Sequence, residues 1–339
     1  MPDDPEQPPV TGAKRRWSFR RADLEARAEE TRAEIQAQVK ATRAELKAQM
    51  EATRAQIDQA NEKIEARTGR NLPLAILIGL ALGFAMLFSL IVVKELFMIV
   101  AAFLIGFTAF ELASALRASG RRVPRWPTVI AALATVPAAF YLGDGGKWLV
   151  SLAGIAFVVA WRVAELANPR LRAGAREVWH DLAAGTFIQI YIPFLASFAV
   201  LLASKPGGEW WTLAFLILVI STDTGAYATG LTLGRHPMAP RISPKKTWEG
   251  FGGSVAAAFI AGILLSIFMI HEPWWFGFVF GGVIVATATI GDLTESLIKR
   301  DLGIKDISTW LPGHGGFLDR MDSIVLSAAA AYILFLLFA

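Results

Sequence analysis

Cysteine is absent from the 339 residues, which removes disulfides, thiolate metal sites and cysteine nucleophiles together and leaves oxygen and imidazole as the metal ligands to consider. Charge is also scarce. Only 18% of residues are charged against 54% hydrophobic, and the mean hydropathy of +0.46 excludes an ordinary soluble globular domain. A third lack lies at the start: residues 1–17 are rich in Pro, Asp and Lys/Arg and have no apolar core of the kind a signal peptide needs. They are expected to form part of a disordered tail over 1–20. The net charge of +4 and pI near 9.4 would suggest nucleic acid in a soluble chain. Here the positions of the basic residues give a different meaning, and no nucleic-acid partner is expected.

The chain divides near Asn71. Residues 1–70 hold 14 of the 33 Lys and Arg and 13 of the 29 Asp and Glu, and long apolar runs begin at Leu72. Within 21–70 a motif returns every 11 residues, as Thr31-Arg32-Ala33-Glu34-Ile35, Thr42-Arg43-Ala44-Glu45-Leu46 and Thr53-Arg54-Ala55-Gln56-Ile57. Eleven residues over three turns, about 3.67 per turn, keep Leu24, Ile35, Leu46 and Ile57 on one face and predict a long charged helix with a right-handed supercoiling tendency. Such a helix is solvated or self-associating, or else lies on anionic lipid. A homodimer is expected from it alone.

Residues 71–339 are expected to form an all-α polytopic domain with about nine transmembrane helices, over 73–93, 95–116, 127–142, 147–162, 182–203, 210–232, 251–270, 274–298 and 321–339. Several approach the ~20 residues needed to span a bilayer. Counting residues at the segment edges, the connections after the second, fourth, sixth and eighth segments each carry four Lys or Arg, whereas the opposite ones carry only Lys94, Lys147 and Lys205. The positive-inside rule then puts the amino terminus and the basic loops in the cytoplasm of a multi-pass protein of the cell (inner) membrane.

Acids inside such segments need a reason, since an Asp at a helix centre costs about 2.5–3.5 kcal/mol on insertion scales. Asp223 falls late in the sixth segment and Asp292 interrupts the eighth. One such acid could be a packing hydrogen bond or an interfacial position; two, each followed by a basic loop on one side, suggest a site. Asp292, Glu295, Ser296 and Lys299 follow the offsets i, i+3, i+4 and i+7 and share one helix face. Lys299-Arg300 opens a loop through Lys305-Asp306 and Pro312-Gly313-His314-Gly315-Gly316 to Asp319-Arg320-Met321-Asp322. Carboxylates suit Mg²⁺, glycines let backbone approach a ligand, and basic groups neutralise phosphate. Spacing alone does not choose between Asp319 and Asp322. A second cluster, Ser243-Pro244-Lys245-Lys246-Thr247-Trp248-Glu249-Gly250, reads either as a positive-inside anchor or as a phosphate-binding loop.

The run Ser296-x-x-Lys299-Arg300-x4-Lys305-Asp306-x-Ser308-x-x-Leu311-Pro312-x-His314-Gly315-Gly316-x-x-Asp319-Arg320-x-Asp322 resembles the phosphatidate cytidylyltransferase (CDP-diacylglycerol synthase) signature at every fixed position. Asp223-Thr224-Gly225-Ala226-Tyr227 and the Ser243–Gly250 stretch look like other blocks of that family, so the likeness covers about residues 180–339. It implies transfer of cytidylyl from CTP to phosphatidic acid at the cytoplasmic face of the bilayer. Asp292 and Asp319 would be the leading ligands for Mg²⁺, with a second cation such as K⁺ left open, and Asp223, Asp322 and Glu295 nearby. Lys245, Lys246, Lys299, Arg300, Lys305 and Arg320 would meet the triphosphate and the lipid phosphate, with Asp306 in the same catalytic loop. Asp223, Ser243, Thr247, Glu249, Ser296, Gly315 and Gly316 would belong to the substrate site, and His314 would donate to phosphate rather than act as a base. Phosphoryl transfer asks mainly for positioning and charge neutralisation, and the nucleophile is the lipid's own phosphate. Two other readings are a related CTP-using lipid enzyme such as a polyprenol kinase, and a transporter. A transporter would carry its acids near the midplane of broken helices.

Overall fold

A computed structural model describes residues 40, 42, 43, 45–47, 49, 50, 72–308, 310 and 315–339, with backbone only at 72–80 and 82. The chain divides into two units, Met1–Leu72 and Pro73–Ala339. In the first, the described positions are helical; the expected tail over 1–20 and most of the 11-residue repeat lie outside the described residues.

From Leu72 onward the apolar runs become helices because no other element satisfies the backbone without water. They are α1 (Leu72–Val92), α2 (Lys94–Ala118), α3 (Arg125–Tyr141), α4 (Gly143–Glu165), α5 (Ala175–Gln189), α6 (Leu195–Ser204), α7 (Gly208–Leu233), α8 (Trp248–Phe268), α9 (Phe276–Asp301) and α10 (Leu318–Phe338). A five-residue π turn, Ile190–Phe194, carries Pro193 between α5 and α6, where a wider turn absorbs the missing N–H, and the run is continuous from Ala175 to Ser204. Among the described residues seven helices are long and apolar enough to cross a membrane: α2, α4, the α5–α6 run, α7, α8, α9 and α10. The expected count was about nine. Helix α3 has 17 residues, and the part of α1 with described side chains is shorter still.

Small residues set the closest packing. A methyl group on Gly225 of α7 would lie 2.6 Å from the Gly253 carbonyl oxygen of α8, and one on Gly281 of α9 would lie 2.6 Å from that of Ala258 in α8. Helix backbones in lipid gain contact this way, where side-chain burial alone gives little drive. The core between α7, α9 and α10 is filled by Phe215, Phe276, Phe280, Ile284 and Val325. On the other flank α3 packs on α4, and Arg162 of α4 meets Asp181 of α5 through Nε at 3.0 Å and a second guanidinium nitrogen at 2.8 Å, both residues being buried. The Arg122 backbone N–H donates to the other Asp181 oxygen at 2.8 Å.

The connection from α7 to α8 is not wholly irregular. It holds a short antiparallel ribbon, β1 (Pro237–Ala239) paired with β2 (Ser243–Thr247), an exception to the expected all-α fold.

Candidate active site

Helices α9 and α10 cross at Gly291, where a Cβ would lie only 2.2 Å from the Asp322 carbonyl oxygen. The next residue, Asp292, and Glu295 one turn later are therefore brought against the first turns of α10. One carboxylate oxygen from each of Asp292, Glu295 and Asp322 lies within 4.8 Å of the others. Glu295 is 1% exposed, and its Oε1 has no hydrogen-bond partner among the described residues. Its Oε2 faces the Lys299 ammonium at 2.6 Å, which also donates to Asp319 Oδ1 at 2.9 Å. The second Asp319 oxygen accepts from the Gly316 N–H at 2.7 Å. Across the cleft, Lys246 on β2 reaches Asp292 Oδ2 at 2.5 Å.

The ribbon that delivers Lys246 is held from two sides. Glu249 accepts from the Arg235 and His236 N–H groups at 3.1 and 3.2 Å and contacts His236 Nδ1 at 2.5 Å. Arg300, at the end of α9, donates from Nε to the Ile242 carbonyl at 3.1 Å. Thr247 caps α8 by accepting from the Gly250 N–H at 3.1 Å. All three belong to the expected substrate or catalytic site; in this geometry Glu249 and Arg300 hold the ribbon, and Thr247 caps α8 and lines the adjacent cavity. Beside it lies a cavity of about 280 Å³ whose lining includes Asp223, Tyr227, Lys245, Lys246, Thr289 and Asp292.

The stripe read from the sequence is thus assembled as a cluster for Asp292, Glu295 and Lys299, with Ser296 half-buried on the same helix. Of the pair that spacing left open, Asp322 joins the carboxylate cluster, and Asp319 is bound to Lys299 and Gly316. Ser243 opens β2 and is half-buried; Lys305, Asp306 and Arg320 are exposed. His314 lies outside the described residues. Gly315 has φ +77, a backbone conformation that favours glycine. One residue went unnoticed in the sequence. Glu111 of α2 is buried and accepts from the Leu318 N–H at 2.8 Å, at the start of α10. Its signal was an acid inside the apolar 95–116 segment, well away from Glu95 at its edge.

Four carboxylates from two crossing helices, with two lysines inserted among them, make an arrangement suited to a bound cation and to phosphate. Residues 74–338 match the model of the Cytidylyltransferase family. The chain is also 36% identical over 274 residues to a phosphatidate cytidylyltransferase of Mycobacterium bovis, covering 79% of this chain and 89% of that protein. The chain belongs to the phosphatidate cytidylyltransferase family. A Mycobacterium leprae protein of that name is 35% identical over 274 residues, 78% of this chain and 88% of its own length. One from Brucella suis is 42% identical over 159 residues, 46% of this chain and 57% of its own. The chain is accordingly a nucleotidyltransferase of the membrane. The Cytidylyltransferase family match also takes in α2 and α3, which contribute none of the signature residues.

Proposed function

We propose that this protein transfers cytidylyl from CTP to phosphatidic acid in a metal-dependent reaction at the cytoplasmic membrane face, giving CDP-diacylglycerol and pyrophosphate for phospholipid synthesis. A phosphate oxygen of the lipid attacks the α-phosphorus of CTP, a new P–O bond forms, and the bond to the β-phosphate bridging oxygen breaks as pyrophosphate leaves. The observation that carries the reading is the Asp292–Glu295–Asp322 cluster with Lys246 and Lys299 against it.

The donor set fits a divalent cation. Three carboxylate oxygens converge, and one buried oxygen of Glu295 lacks a partner among the described residues. Asp292, Glu295 and Asp322 would hold Mg²⁺, and Asp319 could take part once released from Lys299; a second cation such as K⁺ belongs to the same proposal. Bound there, the metal would neutralise charge on phosphate oxygens. Lys246 and Lys299 would exchange carboxylate partners for phosphate, and Lys245 would meet phosphate in the 280 Å³ cavity. An apolar cavity of about 380 Å³ lined by Phe103, Phe107, Phe110, Trp126, Leu133 and Trp310 suits a lipid acyl chain.

In this reading about nine helices span the inner membrane, with the amino terminus and the basic loops in the cytoplasm and two copies forming a homodimer. The cysteine-free chain makes orientation directly measurable: single cysteines in the loops after α2 and α7 should react with an impermeant reagent only from the cytoplasmic side. The reaction is tested with labelled CTP and phosphatidic acid in detergent, with and without Mg²⁺, comparing wild type with Asp292→Asn and Asp319→Asn. CDP-diacylglycerol from wild type and none from well-folded variants is the expected result. Transfer of phosphate rather than cytidylyl would favour a lipid kinase, and no product from any phosphatidic acid would overturn the reading.

A further inference from the structure

Helix α2 lies outside the signature region, yet it carries a carboxylate that has no business in an apolar helix unless something needs it. Glu111 is 2% exposed in the last third of a candidate span. A buried carboxylate there is costly unless it is well bonded. Both of its oxygens are used, and both partners come from the segment that returns from α9 to α10. Oε1 accepts from the Ser308 hydroxyl, and Oε2 accepts from the Leu318 N–H at 2.8 Å. Leu318 opens α10, so the acid also sits where free N–H groups and the helix dipole favour negative charge.

The glycine pair explains how the acid fits. A Cβ on Gly316 would lie 2.2 Å from Glu111 Oε1, whereas a Cβ on Gly315 would lie 2.7 Å from Asp319 Oδ2. The two glycines therefore pass between two carboxylates, one on each side. The Gly316 N–H, fixed from the Glu111 side, donates to Asp319 at 2.7 Å. Aromatic contacts seat the same segment on the same helix: Phe107 meets Trp310 and Phe317 at ring separations of 5.8 and 5.1 Å, and Phe110 meets Trp310 at 5.6 Å.

We infer that Glu111 is a positioning residue for this reaction, holding Gly316 and the first turn of α10 so that the Asp319 carboxylate is set relative to Lys299 and the carboxylate cluster. It touches neither substrate nor the reacting atoms. The inference rests on the proposed cytidylyl transfer for its kinetic consequence and on geometry alone for its structural one.

The experiment uses the full chain in detergent with four variants: Glu111→Ala, Glu111→Gln, Gly316→Ala and the double variant Glu111→Ala/Gly316→Ala. Displacement of a reacting group by about 1 Å can cost ~100-fold, so Glu111→Ala and Gly316→Ala are each expected to lower kcat by roughly 10- to 100-fold, with KM for CTP and phosphatidic acid within about twofold of wild type. The Glu111→Gln amide oxygen can still accept from Leu318, so that variant should recover part of the rate. In the double variant the alanine methyl enters the space the carboxylate has left, and its loss should be no greater than that of Gly316→Ala alone rather than the product of the two. Amide exchange supplies a reading independent of turnover: Glu111→Gln and Glu111→Ala should speed exchange at 316–318 while leaving α9 unchanged. Multiplicative losses, or an unaltered kcat in Glu111→Ala and Glu111→Gln beside an active wild type, would overturn the role. Unaltered exchange at 316–318 would overturn it even if wild type made no CDP-lipid, a result that would separately sink the proposed reaction.

Discussion

Arg162 and Asp181 form one charged cluster among the apolar helices; Asp292, Glu295 and Asp322, with Lys246 and Lys299 alongside, form another. In the first, one guanidinium meets the Asp181 carboxylate through two nitrogens and lies 3.7 Å from Glu165, and the remaining Asp181 oxygen takes the Arg122 backbone N–H. These contacts join α4 to α5 and tie both to the connection between α2 and α3. In the second, carboxylates crowd one another, a lysine is shared between Glu295 and Asp319, and one buried oxygen has no partner among the described residues. Like charges brought together in a poorly polarisable setting repel, so the second arrangement costs stability that the first largely avoids. The first serves the fold, and the second has the excess of acid that the proposed cation would neutralise.

The contrast can be broken by experiment. The largest effect is expected from Arg162→Ala, which strands Asp181 and should destabilise the protein by about 3–5 kcal/mol, read as a lowered unfolding midpoint in detergent. Replacing both partners, as Arg162→Met with Asp181→Leu, should cost less than the single change. Asp292→Asn should remove at least ~100-fold of the activity, about 2.7 kcal/mol of barrier, while leaving the unfolding midpoint level or raised. A midpoint lowered as far as in Arg162→Ala would show that the two clusters are alike after all. Mg²⁺ at ten times its Kd should stabilise wild type by about 1.4 kcal/mol and Asp322→Asn by much less, measured as a metal-dependent rise in midpoint. A similar rise in both would move the metal elsewhere. Thr247→Ala, which uncaps α8 at the edge of the cavity, should cost roughly 1 kcal/mol of stability, with a loss of activity smaller than that of Asp292→Asn.

Much of this was legible because the bilayer imposes simple rules on a sequence. Most apolar runs became helices close to their expected bounds, the 182–203 run instead starting at Ala175 and taking a π turn at Ile190–Phe194, and the Asp292–Glu295–Lys299 spacing forecast a shared face on which Glu295 and Lys299 are in direct contact. What lay beyond reach depended on contacts distant in sequence. Asp319 and Asp322 are equivalent by spacing; only the approach of α9 at Gly291 and the reach of Lys299 separate them. The ribbon around Lys246 escaped notice because Ser-Pro-Lys-Lys-Thr shows no apolar alternation, and its register is fixed by Glu249 and Arg300 from outside. Glu111 was legible in principle, as an acid the membrane should have excluded, but its partners are about 200 positions further along the chain.

The near-contact at Gly291 has a mechanical consequence. It is one of several along the pair, with Phe276 against Phe338 at a ring separation of 4.7 Å and Thr287 against Ser327 at 3.1 Å, and two rods joined at the ends and the middle tilt as one body. Asp292 is adjacent to the closest approach and Asp322 supplies the opposing carbonyl. Thickening or thinning the surrounding lipid should tilt α9 and α10 together while leaving the spacing of these two acids nearly constant. Turnover measured in bilayers of graded acyl length should then hold level across a range that visibly changes helix tilt, and it should lose that tolerance when Gly291→Ala pushes the rods apart.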